Sequence, residues 1–277
     1  MTAPLNDLLD ELEDNGSLHD IDALYEAFAS WAESNGRPLY PHQDESLMQI
    51  LDGKHVIAAT PTGSGKSMIA LAAHFVSMAQ GGRSYYTAPL KALVSEKFFD
   101  LVALFGADNV GMVTGDFSLN VNAPIICCTA EILANQALHD GPSLDADMVV
   151  MDEFHFYGDP QRGWAWQLPL LELSEPQFIA MSATLGDTST FEKAWKERTG
   201  REVGVVDDAK RPVPLEFEYV VDRLEDTVER FLKEGRWPVY IVHFAQKDAV
   251  TTAQSFDKRK LIDEEKRERI AAELRSV

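Results

Sequence analysis

The chain has 277 residues, of which 45% are hydrophobic, so it can bury a sizeable globular core. Its formal net charge of −20 argues against a nonspecific nucleic-acid binder with a broad cationic surface, although a local binding track stays open. Two adjacent cysteines, the lack of an apolar run that could cross a bilayer and an acidic N-terminus predict a cytoplasmic protein without disulfides, and no membrane partner.

Residues 1–38 are predicted to form an acidic helical extension. The segments LNDLLDELED and DIDALYEAFASWAES carry apolar residues at helical spacing, and no Lys or Arg precedes Arg37. The extension has two alternative roles. It packs on the rest of the chain through its Leu stripe, or it offers an acidic surface to a protein partner.

Residues 39–210 are predicted to form an α/β domain with a parallel sheet flanked by helices. Apolar, strand-like runs alternate there with helical stretches, and the runs are apolar on both faces. They are HVIAAT, SYYTAP, VGMVT, PIICCT, DMVVMDE and QFIAMSAT. In residues 211–277, a linker with Pro212 and Pro214 is followed by a helix, RLEDTVERFLKEG, a strand, PVYIVHFA, and a charged helix.

The segment TPTGSGKS follows a predicted strand and opens a predicted helix, which is the context of a phosphate-binding loop. Its glycines let the backbone approach a pyrophosphate. The backbone amides of the loop, at the N-terminus of the helix, point inward and favour anions. Lys66 would reach the β and γ phosphates, and Ser67 would bind Mg²⁺. The alternative is a Gly/Ser turn with an unrelated lysine. The predicted nucleotide-binding residues in this loop are Thr62, Gly63, Ser64, Gly65, Lys66 and Ser67.

The segment VVMDEFHFYGDPQRG sets two carboxylates, Asp152 and Glu153, at the end of an apolar strand. Buried like charges are costly unless a cation compensates them. We expect Asp152 to lie beside the phosphate loop and bind Mg²⁺, and Glu153 to position or deprotonate the attacking water. The alternative is an ordinary solvated strand end. For His155, no Cys or His stands at zinc-site spacing, so a coupling role or a plain core histidine is favoured.

These motifs, in the order Gln43, TPTGSGKS, APLKALVSEK, TGD, TAEIL, DEFH and SAT, resemble the first RecA-like domain of superfamily 2 DExH-box helicases. The amino-acid sequences of these motifs are most similar to those of superkiller-type, exosome-associated RNA helicases. The resemblance covers about residues 39–220. It implies a P-loop NTPase that couples hydrolysis of ATP, with Mg²⁺, to translocation and unwinding, with single-stranded RNA favoured over DNA. Phe154 departs from the Val or Ala that is commoner in this motif.

The resemblance also implies roles for matching positions. Gln43 would read the adenine, the catalytic residues would be Lys66, Asp152 and Glu153, and His155, Ser182 and Thr184 would couple hydrolysis to domain movement. Simpler alternatives exist for several positions: a surface glutamine, small residues that end a strand, a helix cap and a plain turn. The residues that would contact the nucleic-acid backbone are Pro89, Lys91, Gly115, Asp116, Thr129, Glu131 and Arg162.

The family binds ATP between two RecA-like domains, and the second domain supplies an arginine finger. No Gln-x-x-Gly-Arg-x-x-Arg pattern follows residue 212. We therefore expect this chain to contain a first domain and the start of a second. We also expect it to bind ATP but to hydrolyse it weakly in the absence of a complete second domain. Two other functions stay open: a DNA helicase or translocase from a sister branch, and a nucleotide-binding scaffold without catalysis.

Overall fold

The computed structural model describes residues 5–209, 214–256, 259, 261 and 264–275. The chain divides into two compact units, Met1–Pro214 and Leu215–Val277, and each is described by itself.

The first unit is built on an eight-stranded sheet with the strand order β4-β3-β5-β2-β6-β7-β1-β8. All neighbouring strands are parallel except β3 and β4, so the predicted parallel sheet is confirmed. Parallel neighbours bring their carboxyl ends to one edge, where ligands bind in such sheets. The strands are β1 (His55–Ala59), β2 (Ser84–Ala88), β3 (Val110–Thr114), β4 (Phe117–Leu119), β5 (Ile125–Thr129), β6 (Met148–Met151), β7 (Gln177–Ser182) and β8 (Val203–Val206).

Helices cover both faces of this sheet. One apolar cluster contains buried residues of the five helices α1 through α5 together with sheet residues such as Val56 and Ala58. A second cluster contains buried residues of α6, α7 and α8 together with sheet residues such as Ile57. Alternate residues of β1 thus enter opposite cores, as the two-sided burial of its apolar sequence requires. The helices are α1 (Leu5–Asp14), α2 (Ile21–Ser34), α3 (Pro41–Leu51), α4 (Lys66–Ala79), α5 (Lys91–Phe105), α6 (Ala130–Asp140), α7 (Trp164–Glu172) and α8 (Ser189–Thr199).

The acidic extension packs against the first core. Its leucine stripe, Leu5, Leu9 and Leu12, is buried, and in α2 the Phe28 ring lies 5.4 Å from that of Phe75 in α4. The Asp20 carboxylate caps α2 by accepting hydrogen bonds from the N–H groups of Asp22 and Ala23. Of the two alternatives for the extension, the structure shows packing on the domain core.

The second unit contains α9 (Leu224–Lys233), α10 (Gln246–Phe256) and α11 (Glu264–Leu274). The predicted strand over PVYIVHFA is wrong: residues 238–243 have no assigned strand, and Tyr240 is 91% exposed. An extended segment becomes a strand only when a neighbour completes its hydrogen bonds, and the described residues of this unit include none. Within the described part of the chain, no helix has the length and apolarity to cross a membrane.

Candidate active site

The loop between β1 and α4 has the shape of an anion-binding turn. Gly63 and Gly65 have φ of +83° and +81°, a region that side chains other than glycine rarely adopt. A Cβ on Gly65 would also collide with the amide of Gln43. The two glycines thus bring the loop backbone to the N-terminus of α4, where backbone amides and the helix dipole favour anions.

The cationic side chain of the loop is held by the loop itself. Lys66 Nζ donates hydrogen bonds to the carbonyl oxygens of Thr60, at 2.8 Å, and Pro61, at 3.2 Å. The buried Ser64 pairs its hydroxyl with that of Thr60 at 2.8 Å. Ser64 therefore shapes the loop through its side chain, while Lys66 is placed where phosphate oxygens can replace the carbonyls.

Residues from distant parts of the sequence line one cavity of about 260 Å³ in front of this loop. The phosphate loop and the acidic pair are brought together because β1 and β6 both flank β7 in the sheet. The lining residues are Thr62, Gly63, Gly65, Lys66, Ser67, Ala70, Tyr86, Lys97, Asp152, Glu153 and Met181.

The acidic pair is fixed by its backbone. Asp152 N–H donates to the carbonyl of Thr87 at 2.9 Å, which extends the β2–β6 pairing by one residue. Glu153 then adopts a left-handed conformation with φ of +51°. Such a conformation is uncommon for a side chain other than glycine and often marks a functional site. The turn ends the strand and lets both carboxylates face the same cavity.

The expected coupling residues lie beside Glu153. His155 Nδ1 is 3.3 Å from Glu153 Oε2 and 3.5 Å from the hydroxyl of Ser182 at the end of β7. The Ser182 hydroxyl also accepts a hydrogen bond from the exposed Thr184 N–H at 3.2 Å. His155 thus contacts both the acidic pair and the SAT segment, which is the geometry that a coupling role needs.

The cavity offers the ligands that Mg²⁺ prefers. The Ser67 hydroxyl and the Asp152 carboxylate are hard oxygen donors, and both line it. Among the described residues, no group of three or more His, Cys, Asp or Glu could hold a metal by itself. Mg²⁺ is usually bound by one or two protein ligands together with substrate phosphates and water.

Gln43 is engaged at both ends of its amide. Its Oε1 accepts a hydrogen bond from Tyr40 N–H at 2.9 Å, and its Nε2 donates to the carbonyls of Ser64 and Gly65. In this structure Gln43 therefore braces the phosphate loop against α3. It also lines a cavity of about 330 Å³ with Gly36, Arg37, Pro38, Tyr40, Gly65, Ser67, Met68 and Leu71, where a base would fit beside the loop.

Two polar residues that line the cavity were not predicted from the sequence. Lys97 Nζ donates to the Ser67 hydroxyl at 3.3 Å, and its side chain is only 14% exposed. Tyr86 donates its phenolic hydrogen to Asp152. Both lie in elements that read as ordinary structure, a helix and a buried strand, so no motif pointed to them.

Four of the seven residues expected to contact nucleic acid form two ion-paired groups. Lys91 Nζ lies 2.6 Å from Asp116 Oδ1, and both side chains are more than half exposed. The Lys91 interaction holds the pKa of Asp116 below its usual value. Exposed ion pairs contribute little to stability. A phosphate of a nucleic-acid backbone can therefore replace Asp116 as the partner of the Lys91 ammonium at a small cost in free energy.

The second group centres on Arg162, whose guanidinium donates to the Glu131 carboxylate and, at 2.7 Å, to the buried Pro89 carbonyl. Gly163 allows the preceding turn, since a Cβ there would lie 2.6 Å from the Asp159 carbonyl oxygen. The guanidinium therefore joins the segment after β6 to those after β2 and β5.

Along the carboxyl edge of the sheet, most of the residues expected to contact nucleic acid lie just after β2 or on one side of it, and those expected to contact the nucleotide lie on its other side. Gly115, Thr129 and Pro89 lie at or just after the ends of β3, β5 and β2, which are neighbours. Gly115 is exposed, whereas Thr129 is buried as the residue before α6. The phosphate loop and the acidic pair, which are expected to bind the nucleotide, follow β1 and β6, and the expected coupling residues Ser182 and Thr184 lie at or just after the end of β7. These three strands are neighbours on the other side of β2.

Comparison with known proteins shows which family this chain resembles. The family profile described as DEAD/DEAH box helicase matches residues 40–191. The DExH-box ATP-dependent RNA helicase DExH15 of Arabidopsis thaliana is 37% identical over 178 residues, or 61% of this chain and 15% of that protein. The antiviral helicase SKI2 of Saccharomyces cerevisiae is 34% identical over 203 residues, or 72% of this chain and 16% of that protein.

A DNA enzyme is similar too. The ATP-dependent DNA helicase Hel308 of Methanocella arvoryzae is 36% identical over 188 residues, or 61% of this chain and 25% of that protein. The chain thus spans no more than a quarter of the length of these relatives. The crystal structure of the DUF1998 helicase MrfA matches with a TM-score of 0.61 and 21% identity, covering 87% of this chain and 42% of that one. The likeness confirms the predicted helicase-type α/β fold.

Proposed function

Since this chain belongs to the DEAD/DEAH box helicase family, and resembles its superkiller-type DExH members, we propose that it is the ATP-binding domain of an ATP-dependent RNA helicase. One observation carries this proposal. Lys66 and Ser67, after β1, share a single cavity with Asp152 and Glu153, after β6. Parallel strand ends meet at one edge in any such sheet, but here the meeting places a cation, a hydroxyl and two carboxylates together, which are the groups that a metal–nucleotide complex needs.

Each side chain has a task in this cavity. Lys66 would leave the loop carbonyls and bind phosphate oxygens, while Ser67 and Asp152 would hold Mg²⁺, which would neutralise charge on the β and γ phosphates. Glu153 would orient the attacking water and accept its proton, with His155 Nδ1 at 3.3 Å from its carboxylate to hold it in place. His155 would pass a change at Glu153 to Ser182.

Hydrolysis by this chain alone should be slow. The described residues that line the cavity include Lys66 and Lys97 but no arginine that could stabilise the transition state. In related phosphoryl-transfer enzymes an arginine finger raises the rate by a factor on the order of a thousand or more. In the proposed enzyme a second RecA-like domain would supply this residue.

The proposed nucleic-acid track is the edge formed by the segments after β3, β5 and β2. A single strand would place its phosphates against Lys91 and Arg162, which now hold Asp116 and Glu131. RNA is favoured over DNA as the bound nucleic acid by the amino-acid sequences of the motifs and by the similarity to DExH15. The DNA alternative rests on the similar identity to Hel308. Neither a protein partner for the extension nor a scaffold role has an observation of its own in its favour.

One experiment tests these steps together. A fluorescent ATP analogue is titrated with Mg²⁺ into the wild-type chain, Lys66→Ala and Glu153→Gln. Lys54→Ala is the matched control, because Lys54 does not line the cavity and pairs with Asp52. Turnover is recorded with RNA and DNA of the same sequence at fixed salt, because only RNA offers a 2′-hydroxyl.

We expect binding that is lost in Lys66→Ala and kept in Lys54→Ala, and slow turnover that Glu153→Gln abolishes. Equal binding by both lysine variants would disprove the nucleotide site. Turnover unaffected by Glu153→Gln would favour a scaffold, and stimulation by DNA alone would favour the DNA helicase.

A further inference from the structure

The carboxylate of Asp152 is held at both of its oxygens. Oδ1 accepts a hydrogen bond from the Glu153 N–H at 2.9 Å, and Oδ2 accepts one from the hydroxyl of Tyr86 at 2.5 Å. With one donor on each oxygen, the carboxylate cannot rotate without breaking a bond. Each oxygen keeps a lone pair for a further partner in the cavity.

The donor to Oδ2 is a buried tyrosine on a neighbouring strand. Tyr86 is 1% exposed in β2 and pairs in register with Val150 of β6, two residues before Asp152. Burial, and after it the negative charge of Asp152, raise the pKa of Tyr86 well above its ordinary value. Any phenol with an ordinary pKa is protonated at neutral pH, so the geometry alone makes the hydroxyl of Tyr86 a donor to Asp152.

A phenylalanine would fill the same space in this strand without supplying that donor. The adjacent Tyr85 shows the contrast, because it lies in the opposite core, and its ring contacts Arg83. Burying a hydroxyl costs free energy unless it is hydrogen-bonded, and the partner of Tyr86 is the carboxylate of a proposed metal ligand. Groups that hold metal ligands in this way typically contribute 10- to 100-fold to metal affinity or activity.

We propose that Tyr86 is a positioning residue of the nucleotide site, whose hydroxyl holds the Asp152 carboxylate ready to receive the divalent cation of the nucleotide. The inference rests on the proposed function, since it needs Asp152 to be a metal ligand. It goes beyond that function by assigning a task to a residue outside the phosphate loop and the acidic pair.

The test compares Tyr86→Phe with Tyr85→Phe, each of which removes the hydroxyl of a tyrosine that is almost fully buried in the same strand. Mn²⁺ serves as the probe, and its affinity for the complex of the chain with ADP is measured by electron paramagnetic resonance. Affinity for ADP alone is measured in EDTA by competition with a fluorescent analogue. Urea unfolding checks that both variants are folded.

Tyr86→Phe should weaken Mn²⁺ binding about 10- to 100-fold and leave metal-free ADP binding unchanged. Tyr85→Phe should change neither. Unchanged Mn²⁺ affinity in Tyr86→Phe, or parallel losses of metal and metal-free ADP binding, would overturn the inference. If Lys66→Ala bound ADP as tightly as the wild type, that result would instead disprove the proposed function.

A spectroscopic measurement on the wild type keeps the inference testable if Tyr86→Phe does not fold. Adding Mg²⁺ to the ADP complex should perturb tyrosine absorption in the near ultraviolet, because the hydrogen-bond acceptor of Tyr86 gains a cation. The perturbation should disappear in Asp152→Asn. A difference spectrum that Asp152→Asn leaves unchanged would contradict a link between Tyr86 and the metal.

Discussion

Replacing Phe28 by Ala tests whether the acidic extension is part of the domain core. Phe28 is fully buried in α2, and its ring centroid lies 5.4 Å from those of Trp31 and of Phe75 in α4. Removing a buried phenylalanine ring typically costs about 3–5 kcal/mol, from lost burial and the cavity that is left. We expect a loss of this size in the free energy of unfolding of the first unit.

The matched control is Phe99→Ala, because Phe99 is 67% exposed on α5. An exposed side chain loses little on truncation, so this variant should stay within about 1 kcal/mol of the wild type. Urea unfolding followed by tryptophan fluorescence suits the comparison, since Trp31 contacts the deleted ring. If the two variants unfolded at the same urea concentration, α2 would not be docked, and the extension would be a free arm available to partners.

Two further predictions concern charge. Lys97→Met should weaken metal-free ATP binding about fivefold, near 1 kcal/mol, because it removes a cation next to Ser67; a fluorescent titration in EDTA measures this, and an equal effect of Lys54→Met would refute it. Burial lowers the pKa of His74 to about 3, whereas the unfolded chain takes up the proton near pH 6.5. Stability should therefore be full above pH 7 and fall by up to about 1.4 kcal/mol per unit as the pH drops toward 3. Urea midpoints at pH 7.5 and 5.5 should show a smaller drop in His74→Gln than in the exposed control His19→Gln, and equal drops would contradict this.

The sequence predicted the elements whose information is local. The strands of the sheet core are continuous apolar runs, and the phosphate loop is a contiguous motif between a strand and a helix. Asp152 and Glu153 could be placed near that loop because parallel strands end at a common edge. The strand expected over residues 238–245 did not form, since its pattern states a propensity and says nothing about a neighbour to pair with.

What the sequence did not predict depends on contacts between distant elements. Tyr86 is one aromatic in a buried strand, and its task is visible only when β6 brings Asp152 alongside. The pairing of Lys91 with Asp116 likewise joins two separately predicted residues across 25 positions. The adenine-reading role of Gln43 stays a prediction, but the sequence did not predict that its amide also braces the phosphate loop by donating to the carbonyls of Ser64 and Gly65.

The position of β2 suggests why one sheet edge can serve both proposed activities. This strand separates the neighbours that carry the nucleotide residues from those that carry the nucleic-acid track. It holds Asp152 through Tyr86, and three residues later its end supplies the Pro89 carbonyl that Arg162 contacts. Pro89 directly follows this strand, and close-packed interiors transmit strain over such short distances. If the proposed track binds a nucleic-acid backbone and displaces Pro89, we expect the affinity of the proposed metal site at Asp152 to change, and metal–nucleotide binding to change the affinity of the track by the same factor, because coupling between two binding sites is reciprocal.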